Sequence, residues 1–262
     1  MRWRFNSHRY ALWRVFYAAC FFFILCIFGA CGLEEYHDIE APAAVLNLPV
    51  YNTEPLNRYY YFTTNDVGNV SSGDFVYAGT AVYYRIYNNL NTLNSHVAAI
   101  AALNSSSSAS AANNLIESYG YKPLGLGAFV ESSGKKTVSS RQAPDPLLSA
   151  ASANRIVRIR LVDYSDEDKA GIRYGATPQS LADLGIPLRY DGRKSFFFYD
   201  DDFSESQEPK NGDDDVTYSS FSAENTWYVN AYAFAVARDS SFIRSYSKVL
   251  HLGTIAIAKS DP

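Results

Sequence analysis

Apolar and polar positions alternate with a period of two in several separate stretches of the chain, as expected of strands with one face turned inward. Arg58 to Asn65 (RYYYFTTN) is aromatic, β-branched and bounded by Asn, and predicts a strand. Phe75 to Tyr87 (FVYAGTAVYYRIY) predicts a second. Its Val82, Tyr84 and Ile86 share the face expected to be buried; Tyr83, Arg85 and Tyr87 share the other. The period then changes. Thr92 to Asn104 places Leu93, Val97, Ile100, Ala101 and Leu103 at near-helical spacing, and the serine-rich run Ser105 to Ser110 interrupts it. Ala111 to Tyr119 predicts a second short helix ended by Gly120. Residues 131–150, rich in Ser and holding Pro144 and Pro146, read as a loop. Strands resume at Asn154 to Tyr164, where Val157, Ile159 and Leu161 alternate with Arg158 and Arg160. Further strands are expected at Ile186 to Tyr190 and Ser195 to Tyr199 around the Asp191-Gly192 turn, at Trp227 to Ala237 and at Ser247 to Ala258, with an acidic loop over 200–215. The expectation is a mainly β chain, a sandwich with a helical and loop insertion at about 88–150.

The N-terminus follows a different logic. Met1 to Arg14 carries four arginines and no acid, and Val15 to Ala30 (VFYAACFFFILCIFGA) carries no charge. A basic segment before a short apolar one is the pattern of a secretory signal helix, and sixteen apolar residues fall short of the roughly 20 a spanning helix needs. The stretch ends in Phe28-Gly29-Ala30-Cys31, with Glu34 and Glu35 close behind. In this it resembles a bacterial lipoprotein. The resemblance covers residues 1–31 and implies that the Cys31 thiol receives a diacylglycerol, that the signal is cut before it, and that the new amino terminus is acylated. Phe28 stands where the usual pattern has Leu, which fits the looser signals of spirochaete lipoproteins. The expected organisation is therefore a signal peptide at 1–30, a tether at 31–50 and a β-domain at 51–262.

Composition sharpens this picture. The chain has 262 residues, with 21 Tyr and 16 Phe against one Met, a bias toward strand formers. All three cysteines, Cys20, Cys26 and Cys31, lie in the first 31 residues, so the expected mature chain holds no disulfide pair. Removing the four signal arginines from 23 Lys and Arg leaves 19 against 27 Asp and Glu, a net charge of −8. A domain of that charge is no nucleic-acid binder and is not drawn electrostatically to anionic headgroups. The acyl chains at Cys31 are the expected membrane contact, on the periplasmic or cell-surface side of the envelope.

Motifs for catalysis are sparse. His37, His96 and His251 lie far apart in sequence, so neither HxH nor HExxH occurs. There is no GxSxG, and Gly125-Leu-Gly127 lacks the third glycine of a dinucleotide loop. The aspartate runs 200–202 and 213–215 lack EF-hand spacing and read as solvated. No cofactor, metal ligand or catalytic residue is assigned. Phe196, Phe198 and Trp227 are the candidate interaction aromatics for a protein or glycan partner, if they reach a loop edge. The reading is a binding or structural envelope protein rather than an enzyme. The rival is an envelope carbohydrate-active or hydrolytic enzyme, which needs a cleft with two facing carboxylates.

Two longer resemblances add to this. GTAVYYRIY early, with WYVNAYAFAVARD and SKVLHLG late, resembles strands C, F and G of a fibronectin type III-like (Ig-like) sandwich. The order of CGLEEY, AVYYRIY, YKPL and YSKVLHLG resembles a group of spirochaete lipoproteins of unassigned function. The first implies a sandwich with a large insertion between C and F; the second implies no activity.

Overall fold

A computed structural model describes residues 39–259 apart from 70, 72–74, 106–109, 133–134, 165–168, 191–197, 199–201, 204–207 and 223–225. Cys31, Phe196 and the signal segment lie outside the described residues. Asp38–Pro262 forms one compact unit, and it is mainly β.

The strands are, in order, β1 (Ala44–Asn47), β2 (Tyr60–Thr63), β3 (Val76–Tyr87), β4 (Lys122–Pro123), β5 (Gly125–Ser132), β6 (Lys135–Gln142), β7 (Leu148–Ser149), β8 (Ile156–Arg160), β9 (Gly171–Gly175), β10 (Ala182–Leu188), β11 (Asp202–Phe203), β12 (Val216–Thr217), β13 (Thr226–Arg238), β14 (Arg244–Tyr246) and β15 (Leu250–Lys259). Helices α1 (Leu90–Ser105) and α2 (Ser110–Glu117) follow β3. Among the described residues they build two sheets. One runs β1-β2-β8-β9-β10-β5-β6; the other runs β11-β15-β13-β3-β12, with β14 on β13, and β4 and β7 on β3. Pairing is antiparallel except for the two-residue strands β11, on β15, and β12, on β3.

The long strands β3 and β13 carry the architecture. Their register runs from Tyr228 opposite Tyr87 to Arg238 opposite Val76. Alternate residues of the pair enter two different cores. Val82, Tyr84, Ile86, Val229 and Ala231 pack against Tyr60, Phe62, Val157, Ile159 and Ile172 of the first sheet. Tyr83, Tyr87, Tyr228, Tyr232 and Phe234 pack under the helices, against Leu93, Ile100, Ala111 and Leu115. The layers are thus sheet, sheet and helix pair. This explains why both faces of β3 are buried, where a single apolar face was expected. Alternation identifies which residues share a face, but only the helices decide that the second face is dry.

Three expected boundaries need correction. Residues 39–50 belong to the domain and are not a tether: Ile39 is buried against Tyr77, Ala235 and Ala237. Further along, β1 pairs with β2, and Thr254 N donates to Pro49 O at 2.8 Å. The insertion at 88–150 is not only helix and loop, because β5 and β6 form a hairpin with Leu126 opposite Gln142. Residues 135–142, read as loop, are the last strand of their sheet. Close approach fixes one glycine. Gly79 has φ +137°, and a Cβ there would sit 2.0 Å from Leu148 O, where β7 crosses β3.

Candidate functional site

The candidate aromatics that the structure describes lie inside. Phe198 is buried, its ring edge-on to Tyr84 at 5.3 Å. Trp227 is buried in the same core, its indole N–H donating to Glu208 Oε1 at 3.1 Å. These two rings fill the space between the sheets, so they are core residues and not an exposed platform. The exposed aromatics are others: Phe221, Tyr218, Tyr51 and Phe242. Tyr51 packs edge-on to Tyr228, which pairs with Tyr87, so it lies at the end of the sheet where β3 terminates. Ser219 is tied to Asn88 just beyond β3, which places Tyr218 and Phe221 at that end as well.

The acidic loop is not simply solvated. Asp215 is buried and accepts from Arg189 Nε at 2.9 Å, from Arg189 Nη2 at 2.6 Å and from the Tyr84 hydroxyl at 2.6 Å. Asp213 adds a 3.0 Å bond to the same guanidinium. Two further carboxylates, the buried Asp66 and the partly buried Asp145, are also held by arginine. Asp66 takes Arg155, with Thr64 and Tyr77 as further donors. Asp145 takes Arg244 and the Tyr83 hydroxyl. Burial and the Asp145 charge push the Tyr83 phenol well above its ordinary range.

The most organised polar centre lies between the second sheet and the helices. Asn230 is the one amide inside the apolar run of β13 and is fully buried. Its Oδ1 accepts from the Tyr121 hydroxyl at 2.7 Å, and Tyr121 in turn accepts from the Tyr87 hydroxyl at 3.3 Å. Each phenol has one proton, and Tyr87 has given its own. The 3.1 Å bond between Tyr87 and His96 Nδ1 is therefore donated by the imidazole. On the other side, Asn230 Nδ2 lies 2.7 Å from His251 Nε2, 2.9 Å from Thr254 Oγ1 and 3.1 Å from Gly253 O. An amide N–H donates, so His251 Nε2 is the unprotonated nitrogen. One directed chain of hydrogen bonds thus fixes both tautomers.

Burial sets the protonation states of this chain. It holds His251 down to about 4 and pushes Tyr87 up to about 12. Tyr121 is raised too, again by burial, and His96 is lowered by burial and then by Arg85. At neutral pH the chain is wholly uncharged, and no phenolate or imidazolium is available within it. Arg85 sits beside it. It spends its donors on Gly120 O and Asp214 O, each at 2.6 Å, on Val216 O at 2.7 Å and on Thr217 Oγ1 at 2.8 Å. The arrangement ties the loop after α2 and the loop before β13 to the sheet.

The sequence reading missed this centre. The one signal was Asn230, a polar residue in an otherwise apolar strand. Its partners lie on β3, β15, α1 and the turn before β4, and strand register together with the packing of α1 on the sheet brings them together. Among the described residues no three His, Cys, Asp or Glu side chains converge as metal ligands. Comparisons with protein-family models, curated proteins and solved structures find no match to the chain.

Proposed function

We propose that the chain is an exported protein of the bacterial envelope, held to the membrane by acyl groups on Cys31, with a binding or structural role. The observation that carries this is the order of the first 31 residues: a basic segment, then sixteen uncharged residues that end in Phe-Gly-Ala, then Cys31. The position of the domain is consistent with it. Ile39, the first described residue, is buried in the domain and lies only eight residues after the cysteine, so an acyl anchor would hold the domain close to the bilayer.

The fold we propose is an Ig-like sandwich of the fibronectin type III kind. Such folds place strands A, B and E in one sheet and C, F and G in the other. β1-β2-β8 are neighbours in one sheet and β15-β13-β3 in the other, which supports reading them as A-B-E and G-F-C. The β5–β6 and β9–β10 hairpins and the helix pair are then additions, the helices covering the outer face of C-F-G. The binding reading also draws support from the carboxylates. Asp66, Asp145 and Asp215 each hold an arginine and are engaged in holding loops to the sheets. The partner surface we assign is the end carrying Tyr51, Tyr218 and Phe221, a loop end of the kind such sandwiches use for recognition.

The test is Cys31→Ala in the native cell. Unprocessed precursor should accumulate and labelling by radioactive palmitate should disappear. Labelling that persists in the variant would sink the anchor.

A further inference from the structure

The opposite end of the domain carries a separate apolar surface. Val67, Val76, Phe242 and Ile243 are 58%, 54%, 80% and 64% exposed. Each is tied to the place where the chain enters the domain. Ile39 packs on Tyr77 and Ala237. Val76 pairs with Arg238, the next residue after Ala237 and the last of β13. Phe242 and Ile243 form the tip of the hairpin that follows at once, between β13 and β14. Val67 lies in the turn whose Asn65 and Asn69 side chains grip Glu40, at 2.7 Å to its carboxylate and 2.9 Å to its backbone. The surface with Tyr51 and Phe221 lies at the other end of β3, twelve residues or roughly 36 Å away.

The hairpin tip is built to project these side chains. Asp239 Oδ1 accepts from Ser241 N at 2.9 Å and Ile243 N at 2.8 Å, and Asp239 O accepts from Phe242 N at 3.0 Å. Phe242 takes φ +62°, a left-handed conformation that a bulky residue adopts only when its surroundings impose it. Arg238 and Arg244 flank the tip. A large ring and a branched aliphatic side by side on a convex, braced turn suit insertion into a soft apolar phase.

We propose that this end of the domain rests in the bilayer that holds the anchor, with Phe242 and Ile243 inserted at the headgroup–acyl boundary and Val67 and Val76 beside them. The inference rests on acylation at Cys31. It is the chain length that selects the occupant. Eight residues from Cys31 to Ile39 span at most about 28 Å, so an acylated Cys31 keeps the domain within that reach of the bilayer, and Ile39 lies on the end that carries the hairpin. The domain is net acidic, so apolar insertion rather than charge supplies the contact. The domain then stands on the membrane by two points, the acyl group and the hairpin, and presents the Tyr51 and Phe221 end outward.

The test uses the processed, acylated chain. Trp227 is its one remaining tryptophan, buried and at the far end of β13 from the hairpin. Phe242→Trp and, separately, Phe221→Trp are expressed in the native cell and purified. They are then reconstituted in phosphatidylethanolamine–phosphatidylglycerol vesicles with and without brominated acyl chains. Mass spectrometry of the same sample reads the acyl group on Cys31. The expected result is emission from position 242 that shifts to the blue and is quenched by bromine, while positions 221 and 227 are not quenched. An acylated protein with position 242 unquenched overturns the inference and leaves the anchor standing; the tip then faces water or another protein. A chain without the acyl group removes the anchor and this inference together.

Discussion

Replacing Asp215 by Ala should cost the domain about 3 kcal/mol, at the lower end of the 3–5 kcal/mol seen when one partner of a buried ion pair is removed. The reasoning is specific to the site. The Arg189 side chain has no exposure, and Asp215 has 2%. Without Asp215 the guanidinium keeps only Asp213 among the two carboxylates bonded to it, and that group is 18% exposed on the far side of the fork. The Tyr84 hydroxyl also loses its acceptor while remaining buried. The assay is urea unfolding of the chain beginning at residue 32, with the midpoint read at constant slope. Arg173→Ala is the control, since its partner Asp183 is 75% exposed; an exposed pair should cost no more than about 1 kcal/mol. Arg189→Met with Asp215→Leu should recover much of the loss, because the fully buried guanidinium and carboxylate go together and only Asp213, which reaches water, is left without its partner. A loss under about 1 kcal/mol for Asp215→Ala, or a double variant no more stable than the single one, would refute the argument.

Other expectations follow from particular atoms. His251 is held neutral by burial, with a folded-state value near 4 against 6.5, so the unfolded chain binds the extra proton in that window. Stability is therefore full above about pH 6.5 and falls as pH drops toward 4, by about 3 kcal/mol in all. His251→Gln, whose carbonyl can still accept from Asn230, should remove that component from the urea-unfolding pH profile; an unchanged slope would contradict it. Gly79→Ala should fail to fold stably or lose several kcal/mol in urea melts, because its Cβ would meet Leu148 O; a wild-type midpoint would contradict that close crossing. The same chain should give a β-dominated far-UV circular dichroism spectrum, and a helix-dominated one would contradict the fold.

What was legible in the sequence follows from where each residue is used. β3, β13 and β15 are central or near-central strands of their sheet, and their long apolar runs announce them. The two helices were visible because Leu93 and Ile100 keep the helical period on a face that must cover Tyr83 and Tyr87. β6 was invisible for the converse reason. Among the described residues it is the last strand of its sheet, and the sequence KKTVSSRQ reads as a surface segment. Such edges favour charged and polar residues that a pattern search assigns to loops. The packing of 39–50 was missed because it depends on single anchors, Ile39 and Pro49 O, and not on a repeat. Asp213 to Asp215 show the limit most clearly. Three adjacent aspartates look alike in sequence, yet one is a buried partner of Arg189, 26 residues away. The polar chain from His96 to His251 spans four elements, and the one trace it leaves in the sequence is Asn230, a lone amide within an apolar strand.

The most direct test of the account is the N-terminal peptide of the protein extracted from membranes of its own cell. The account predicts a peptide that begins at Cys31 and carries a thioether-linked diacylglycerol and an amide-linked acyl chain. A chain that begins at Met1, or one whose N-terminal region carries no lipid, would contradict it.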